Sequence, residues 1–277
     1  MEEELTDIKV LKRNGEYERY DADKINQVVQ WACEGLDVSP SEILMKMQVQ
    51  LFDGIKTEDL QKLVIKSAAD LIEVWQSDYQ YVAARLLMYD VRKKAFWNYD
   101  PPALKDHVHD IVNLGWYDPE IVQKYSDEEM DTIDKHIVHD RDYLLAYAGA
   151  EQWATKYLVQ NRVSGEVYES PQIALMLIAM CLHQEEHENR IQKVIDFYDE
   201  VSLQKLSLPT PIMAGVRTPT RQFSSCTLIE SGDTEDRIFN AVTAVGKYAA
   251  KRAGIGLNLG AIRAQGAPIR GGEAKHA

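Results

Sequence analysis

SSCTLIESGDTEDRIFNAVTAVGKYAAKRAGIGLNLGAI, running from Ser224 to Ile262, changes character twice along its length. Ser224–Glu230 reads as a short strand. Gly232-Asp233-Thr234 is a helix start, and Ile238, Val242, Val245 and Ala249 follow it as an apolar stripe at helical spacing. Gly254 stands where a helix terminator belongs, and Ile255–Ile262 reads as a second buried strand. The expectation is one β-α-β unit, a connection that places its two strands side by side and parallel.

Upstream, Leu208–Arg221 carries three prolines and is not expected to form a regular helix. Residues 103–206 read as mainly helical, with a polar turn at Ser164-Gly165. Ile173–Leu182 is an apolar run of Ala, Leu and Met that starts just after Pro171, so it is expected to be a buried helix. Asp100-Pro101-Pro102 marks a boundary, because proline disfavours helix in the residue before it. Nearer the start, Ile8–Lys12 and Tyr17–Tyr20 flank Asn14-Gly15, a pair suited to a type I′ hairpin turn. Ile25, Val28, Val29, Ala32 and Leu36 mark a helical face. Ser39-Pro40-Ser41-Glu42 has the form of a capping box. A third helix is expected from Thr57 with Leu71 and Trp75 on its stripe, and a fourth over Tyr79–Phe96. The fold is therefore expected to be mainly α with α/β: a hairpin-plus-helices unit over 1–99, a helical domain over 100–220, and the start of an α/β structure over 221–277.

Composition narrows the function. The 277 residues are 45% hydrophobic and 27% charged, values of a folded chain. Against 44 acidic residues stand 31 basic ones, a formal net charge of -13. A surface-wide nucleic-acid binder is not expected from that balance, but a local anion site is allowed. Cys33, Cys181 and Cys226 form no CxxC pair, so neither a disulfide framework nor a cysteine zinc site is expected, and a reducing cytoplasm fits. The acidic opening Met1-Glu-Glu-Glu4 lacks an apolar core, so no secretory signal is expected. No stretch is long and apolar enough for a membrane span.

Several motifs invite chemistry and are weighed against plainer readings. His183-Gln-Glu-Glu-His187 spaces two histidines as a zinc helix does, but Gln184 stands where the zincin glutamate belongs, so a polar helix end is favoured. His136 and His139 with Asp140 and Asp142 have no further ligand set, and no metal is expected. Gly254-x-Gly256-x-x-x-Gly260 enters a strand instead of opening a helix, so it is not a dinucleotide fingerprint. Lys12-Arg13, with Lys24, Arg92, Lys93 and Lys94, is a candidate phosphate cluster. Arg263 and Arg270 bracket a glycine-containing loop and have the bidentate geometry that suits a di- or triphosphate. Cys226 alone reads as an inert buried thiol.

Taken together, Ser207-Leu-Pro-Thr-Pro-Ile-Met213, Arg217-Thr-Pro-Thr-Arg-Gln-Phe-Ser-Ser-Cys226, Arg252-Ala-Gly-Ile-Gly256 and Ile269-Arg-Gly-Gly-Glu273 closely resemble the large (α) subunit of class I ribonucleotide reductase. Asp78-Tyr-Gln-Tyr-Val-Ala-Ala-Arg85 and Lys156-Tyr-Leu-Val-Gln-Asn-Arg162 are similar to the same family. The resemblance covers essentially the whole chain and about the first third of a family subunit. It implies an N-terminal ATP-cone, a helical domain, and the opening β-α-β of a ten-stranded α/β barrel. It assigns ATP/dATP contacts to Lys12, Arg13, Glu18, Arg19, Tyr20, Asp21, Ala22, Asp23, Lys24, Thr57 and Lys93. It places a dNTP specificity-effector site at Asp233, Thr234, Arg263 and Arg270, and substrate contacts at Thr210 and Ser225. Cys226 becomes one of two cysteines that reduce substrate by closing to a disulfide. Gln61 replaces a histidine of well-known members, so weak or absent dATP inhibition is expected.

The implied reaction is reduction of ribonucleoside diphosphates to deoxyribonucleoside diphosphates for DNA synthesis. The radical cysteine, the second reducing cysteine and the catalytic Asn and Glu of the family have no counterpart here. The resemblance therefore implies a piece, or one half of a split subunit, that is inactive alone. Its partners would be a complementary C-terminal α polypeptide, a radical-generating small (β) subunit, a second α copy and a thioredoxin- or glutaredoxin-type dithiol. The rival expectation is a stand-alone nucleotide-sensing module without catalysis.

Overall fold

The computed structural model describes residues 8–220, 222–251 and 253–273; the sequence readings that touch Met1–Glu4, Arg221, Arg252 and the last residues lie outside them. The chain divides into two compact units. One runs to Leu208 and takes in Arg217–Pro219; the other comprises Pro209–Val216 and the residues from Thr220 onward.

The first unit opens with a hairpin of β1 (Lys9–Leu11) and β2 (Tyr17–Arg19), paired antiparallel with Lys9 opposite Arg19 and Leu11 opposite Tyr17. Its turn differs from the expected type I′. Gly15 is at φ 85° and Asn14 is not in the left-handed region; Gly15 N–H donates to Lys12 O at 3.0 Å and Lys12 N–H to Glu16 O at 2.9 Å. That is a type I turn closed by a glycine bulge, in which one left-handed residue suffices. A short β3 (Ile55–Lys56) adds parallel to the other side of β1.

Helix α1 (Ala22–Cys33) starts at Asp21, whose carboxylate caps Asp23 N–H at 3.1 Å and Lys24 N–H at 3.4 Å. Helix α2 (Pro40–Gln48) has proline at its first position as expected, but no capping box forms at Ser39 among the described residues. The Glu42 carboxylate instead accepts the Tyr79 hydroxyl at 2.8 Å, because a fully buried phenol needs an acceptor. Helix α3 (Thr57–Ala69) ends before Leu71 and Trp75, and Trp75 is 80% exposed, outside the stripe expected for it. Helix α4 (Tyr79–Phe96) has the expected bounds.

After Pro101-Pro102 come α5 (Leu104–Asn113), α6 (Glu120–Lys124), α7 (Asp127–Asp134), a 3-10 turn over His139–Leu144, and α8 (Tyr147–Gln152), which widens into a π turn at Trp153–Tyr157. Helix α9 (Pro171–His183) is buried at every residue from Pro171 to Met180, as its unbroken apolar run requires, and packs on α10 (Arg190–Ser202).

Two buried ion pairs pin this unit. The Arg92 guanidinium on α4 meets Asp142 at 2.9 Å, and Asp142 also accepts Gln172 N–H, in the first turn of α9, at 3.0 Å. Burial pushes the Asp142 carboxyl up to about 6 against the pull of Arg92. Arg217, fully buried, forks onto Glu169, with Nε 2.9 Å from Oε2. Glu169 also accepts the Tyr117 hydroxyl at 2.8 Å and Val159 N–H at 2.6 Å.

The second unit holds α11 (Thr210–Gly215), β4 (Cys226–Glu230), α12 (Glu235–Ala250) and β5 (Gly254–Asn258). The helix α11 was not expected. Pro209 and Pro211 fall at its cap and first turn, where a missing N–H has no intrahelical partner to lose. β4 and β5 are parallel, with Cys226 opposite Gly254 and Glu230 opposite Asn258. The inner face of α12 is Ile238, Ala241, Ala244 and Val245; Val242, expected there, is 62% exposed. Gly254 does not terminate α12, which closes at Lys251. It opens β5, where an added Cβ would lie 3.2 Å from Cys226 Sγ.

Asp142→Ala should lower stability by about 3–5 kcal/mol, because it leaves Arg92 buried and unpaired. Lys62→Ala, which removes an exposed pair with Asp59, should cost less than about 1 kcal/mol. Urea unfolding of the two variants checks the contrast.

Candidate functional site: a cationic cavity on the hairpin and helix α4

The hairpin, the start of α1, the start of α3 and the end of α4 enclose a cavity of about 450 Å³. Lys12, Arg13, Glu18, Arg19, Tyr20, Asp21, Lys24, Thr57 and Lys93 line it. Ala22 and Asp23 stand in the first turn of α1 and are not among the lining residues. Five cationic side chains from the hairpin, α1 and α4 thus line one concavity within a chain of net charge -13.

Lys12, Arg13 and Lys24 are paired with acids of the same unit. Glu18 is bound by Lys12 at 2.9 Å and by Lys24 at 3.0 Å. These two hydrogen-bonded ammonium groups hold its carboxyl down at about 2. Arg13 lies 3.4 Å from Glu58, and Lys93 donates to the Trp97 carbonyl oxygen at 2.8 Å. The floor is apolar, from Val10, Ile25, Val28 and Leu60. Gln61 also lines the cavity, and its amide donates to Leu86 O at 3.3 Å.

Sequence reasoning missed the aromatic wall. Tyr89 and Tyr99 stack at 3.9 Å between centroids and 14° between planes, Lys93 Nζ sits 4.9 Å from the Tyr99 ring, and Trp97 completes the rim. The available signal was the interleaving of aromatics and cations from Tyr89 to Tyr99, a pattern suited to stacking a base beside phosphates.

In the second unit, Asp233 and Arg263 are brought together and bind each other. Arg263 Nε lies 2.9 Å from Asp233 Oδ2, and Arg263 N–H donates to Oδ1 at 3.0 Å. This pairing lowers the Asp233 carboxyl. Thr234 caps α12 through Arg237 N–H at 3.4 Å. Arg270 is exposed at φ 52° in a short 3-10 turn. Cys226 is exposed at the first position of β4, with its Sγ 3.9 Å from the neighbouring Ser225 hydroxyl. Thr210 opens α11. His183 packs its ring on Phe197 at 5.4 Å, and among the described residues no three His, Cys, Asp or Glu gather as metal ligands. No helix among the described residues is long and apolar enough to cross a membrane.

Three family models match in series: the ATP cone domain over residues 8–94, the all-alpha domain of ribonucleotide reductase over 143–221, and its barrel domain over 224–277. The class they define is an ATP-cone protein with a ribonucleotide reductase helical domain and the opening of its barrel. Among curated relatives, ribonucleoside-diphosphate reductase 1 subunit alpha of Salmonella typhimurium is 54% identical over 96% of this chain, and that of Escherichia coli is 53% identical over 96%. The subunit alpha of Enterobacteria phage T4 is 48% identical over 97%. The chain spans only about a third of their length, 35% to 36%. It belongs to the ribonucleotide reductase large (alpha) subunit family and corresponds to the N-terminal part of these relatives.

Because its folded value lies below the ordinary 4.5, the ionised Glu18 clamp is fully present above about pH 4.5 and is lost only as pH falls through about 2. A carboxyl NMR titration should show Glu18 with a midpoint near 2, moving upward in Lys12→Ala.

Proposed function

We propose that this chain is the N-terminal, nucleotide-sensing part of a ribonucleoside-diphosphate reductase alpha subunit. Completed by the rest of the barrel, it reduces ribonucleoside diphosphates to deoxyribonucleoside diphosphates. The observation that carries the reading is the cavity: the cations and Thr57 that line it are the positions the family resemblance assigns to ATP and dATP. An apolar floor, an aromatic wall and clustered cations suit base, ribose and phosphates in one concavity. Gln61 already donates to Leu86 O, and dATP inhibition is read as weak.

Asp233, Thr234, Arg263 and Arg270 form the dNTP effector site, Asp233 and Arg263 exchanging their mutual pair for ribose and phosphate. Thr210 and Ser225 position the substrate. Cys226 and a second thiol of the remaining barrel give two electrons and two protons and close to a disulfide as the 2′-hydroxyl leaves as water. An external dithiol of thioredoxin or glutaredoxin type then reopens the disulfide. In chain order the domains are read as a cone over 1–99, a helical domain over 100–220 and a barrel start over 221–277. The partners are a radical-generating beta subunit, a second alpha copy and the polypeptide that carries the remaining strands, in the cytoplasm. The match of residues 224–277 to the barrel disfavours a stand-alone sensor.

Calorimetry of the full chain should show ATP binding, weakened at least tenfold in Lys12→Ala and in Lys93→Ala; no heat with either ATP or dATP at millimolar concentration overturns the reading. In the assembled reductase, Cys226→Ser should abolish turnover with an external dithiol while effector binding persists. Retained turnover would reassign the thiol to packing.

A further inference from the structure

Trp97 is the residue at which α4 ends, and it stands at φ 54°, ψ 8°, in the left-handed region. That place after a helix is normally taken by glycine or asparagine, because a Cβ there crowds the backbone. Burial does not explain why a tryptophan accepts it: the side chain is 71% exposed. The backbone is held by α4 itself, through the Lys93 ammonium on the Trp97 carbonyl oxygen at 2.8 Å. Two residues on, Tyr99 is fixed by stacking on Tyr89. The consequence of this conformation is that the indole lines the cationic cavity, where the Arg13 guanidinium sits 5.8 Å from its ring centroid.

An exposed aromatic face, kept over a phosphate-sized cluster of cations at a conformational cost, is a stacking surface. We propose that Trp97 is the base-contacting residue of this cavity: its indole stacks on the purine ring of the nucleotide and makes the site select a nucleotide over a bare polyphosphate. The inference rests on the nucleotide reading given above. Arg13 lies over the ring face. When phosphates draw Arg13 away, that face becomes free for the base, so the charged and the flat parts of the ligand are read by one coupled pair of side chains.

The test compares ATP with inorganic tripolyphosphate on the full chain, by calorimetry. Trp97→Gly removes the ring and relieves the left-handed strain while keeping the carbonyl that anchors Lys93, so its melting temperature should equal or exceed that of the parent. The expected result is an affinity for ATP about tenfold lower in Trp97→Gly, tripolyphosphate binding unchanged within about twofold, and most of the ATP affinity kept in Trp97→Phe. Equal ATP affinity in the parent and Trp97→Gly overturns the proposal and leaves the nucleotide site standing. So does an equal loss for both ligands, which would make Trp97 a structural support of the cations. A parent chain that binds neither ligand overturns this inference and the nucleotide reading together.

Discussion

The pair between Arg92 and Asp142 fixes the position of α4, and the cavity depends on α4. Arg92 and Lys93 are adjacent in sequence, and a helix turns consecutive side chains about 100° apart. One therefore reaches into the protein, where Asp142 ties it to the first turn of α9, and the other reaches the cavity. Removing either charge from water is costly, and the pair repays that cost only because the remaining valences are met: Arg92 lies 4.4 Å over the Tyr143 ring and Asp142 accepts Gln172 N–H. The register of Tyr89, Asp90 and Lys93 along the cavity wall is thus set by a side chain on an adjoining face of the same helix.

The second unit is governed by a different constraint. Two parallel strands leave most of their surface uncovered: Leu228 on β4 is 89% exposed, and Leu257 on β5 is exposed as well. Parallel strands normally need cover on both faces and neighbours on both edges. The strands pass close because β5 carries glycines opposite the larger side chains of β4; an added Cβ at Gly256 would lie 2.8 Å from Leu228. This close pairing presents Cys226 at the strand start and Asp233 at the head of α12.

Much of the fold was legible in the sequence, for physical reasons that differ by element. Helices α4 and α9 were read at or near their true ends because burial on nearly all sides leaves little room for another period. The hairpin was legible but its turn type was not: Asn14-Gly15 allows two left-handed residues, and the bulge uses one. The box at Ser39 failed because Tyr79, forty residues away, competes for Glu42. In α12 the stripe was misplaced at Val242, because Ala241 packs where a valine was expected to. Lys12, Arg13, Lys24 and Lys93 were visible as a weak cluster, but Arg19 and Thr57 joined them only through the family resemblance, and Arg92 and Lys94 of the same cluster pair instead with Asp142 and Asp90. Nothing in local pattern brings positions 12 and 93 together. Trp97 was illegible, since a left-handed tryptophan violates the propensity on which such reading rests.

The cavity also shows how an acidic chain gathers cations at one place. Three of its cations are already paired, Lys12 and Lys24 with Glu18, and Arg13 with Glu58. An empty pocket of like charges so close together would repel itself. The acids remove that repulsion. The binding proposed above would be an exchange of partners, with Glu18 giving way to a group that carries more charge and more acceptor oxygens than one carboxylate. The net gain is the difference between two sets of ion pairs, much smaller than either alone. On the nucleotide reading proposed above, the apolar floor and aromatic wall that meet the uncharged parts of the ligand would therefore share the discrimination with the cations.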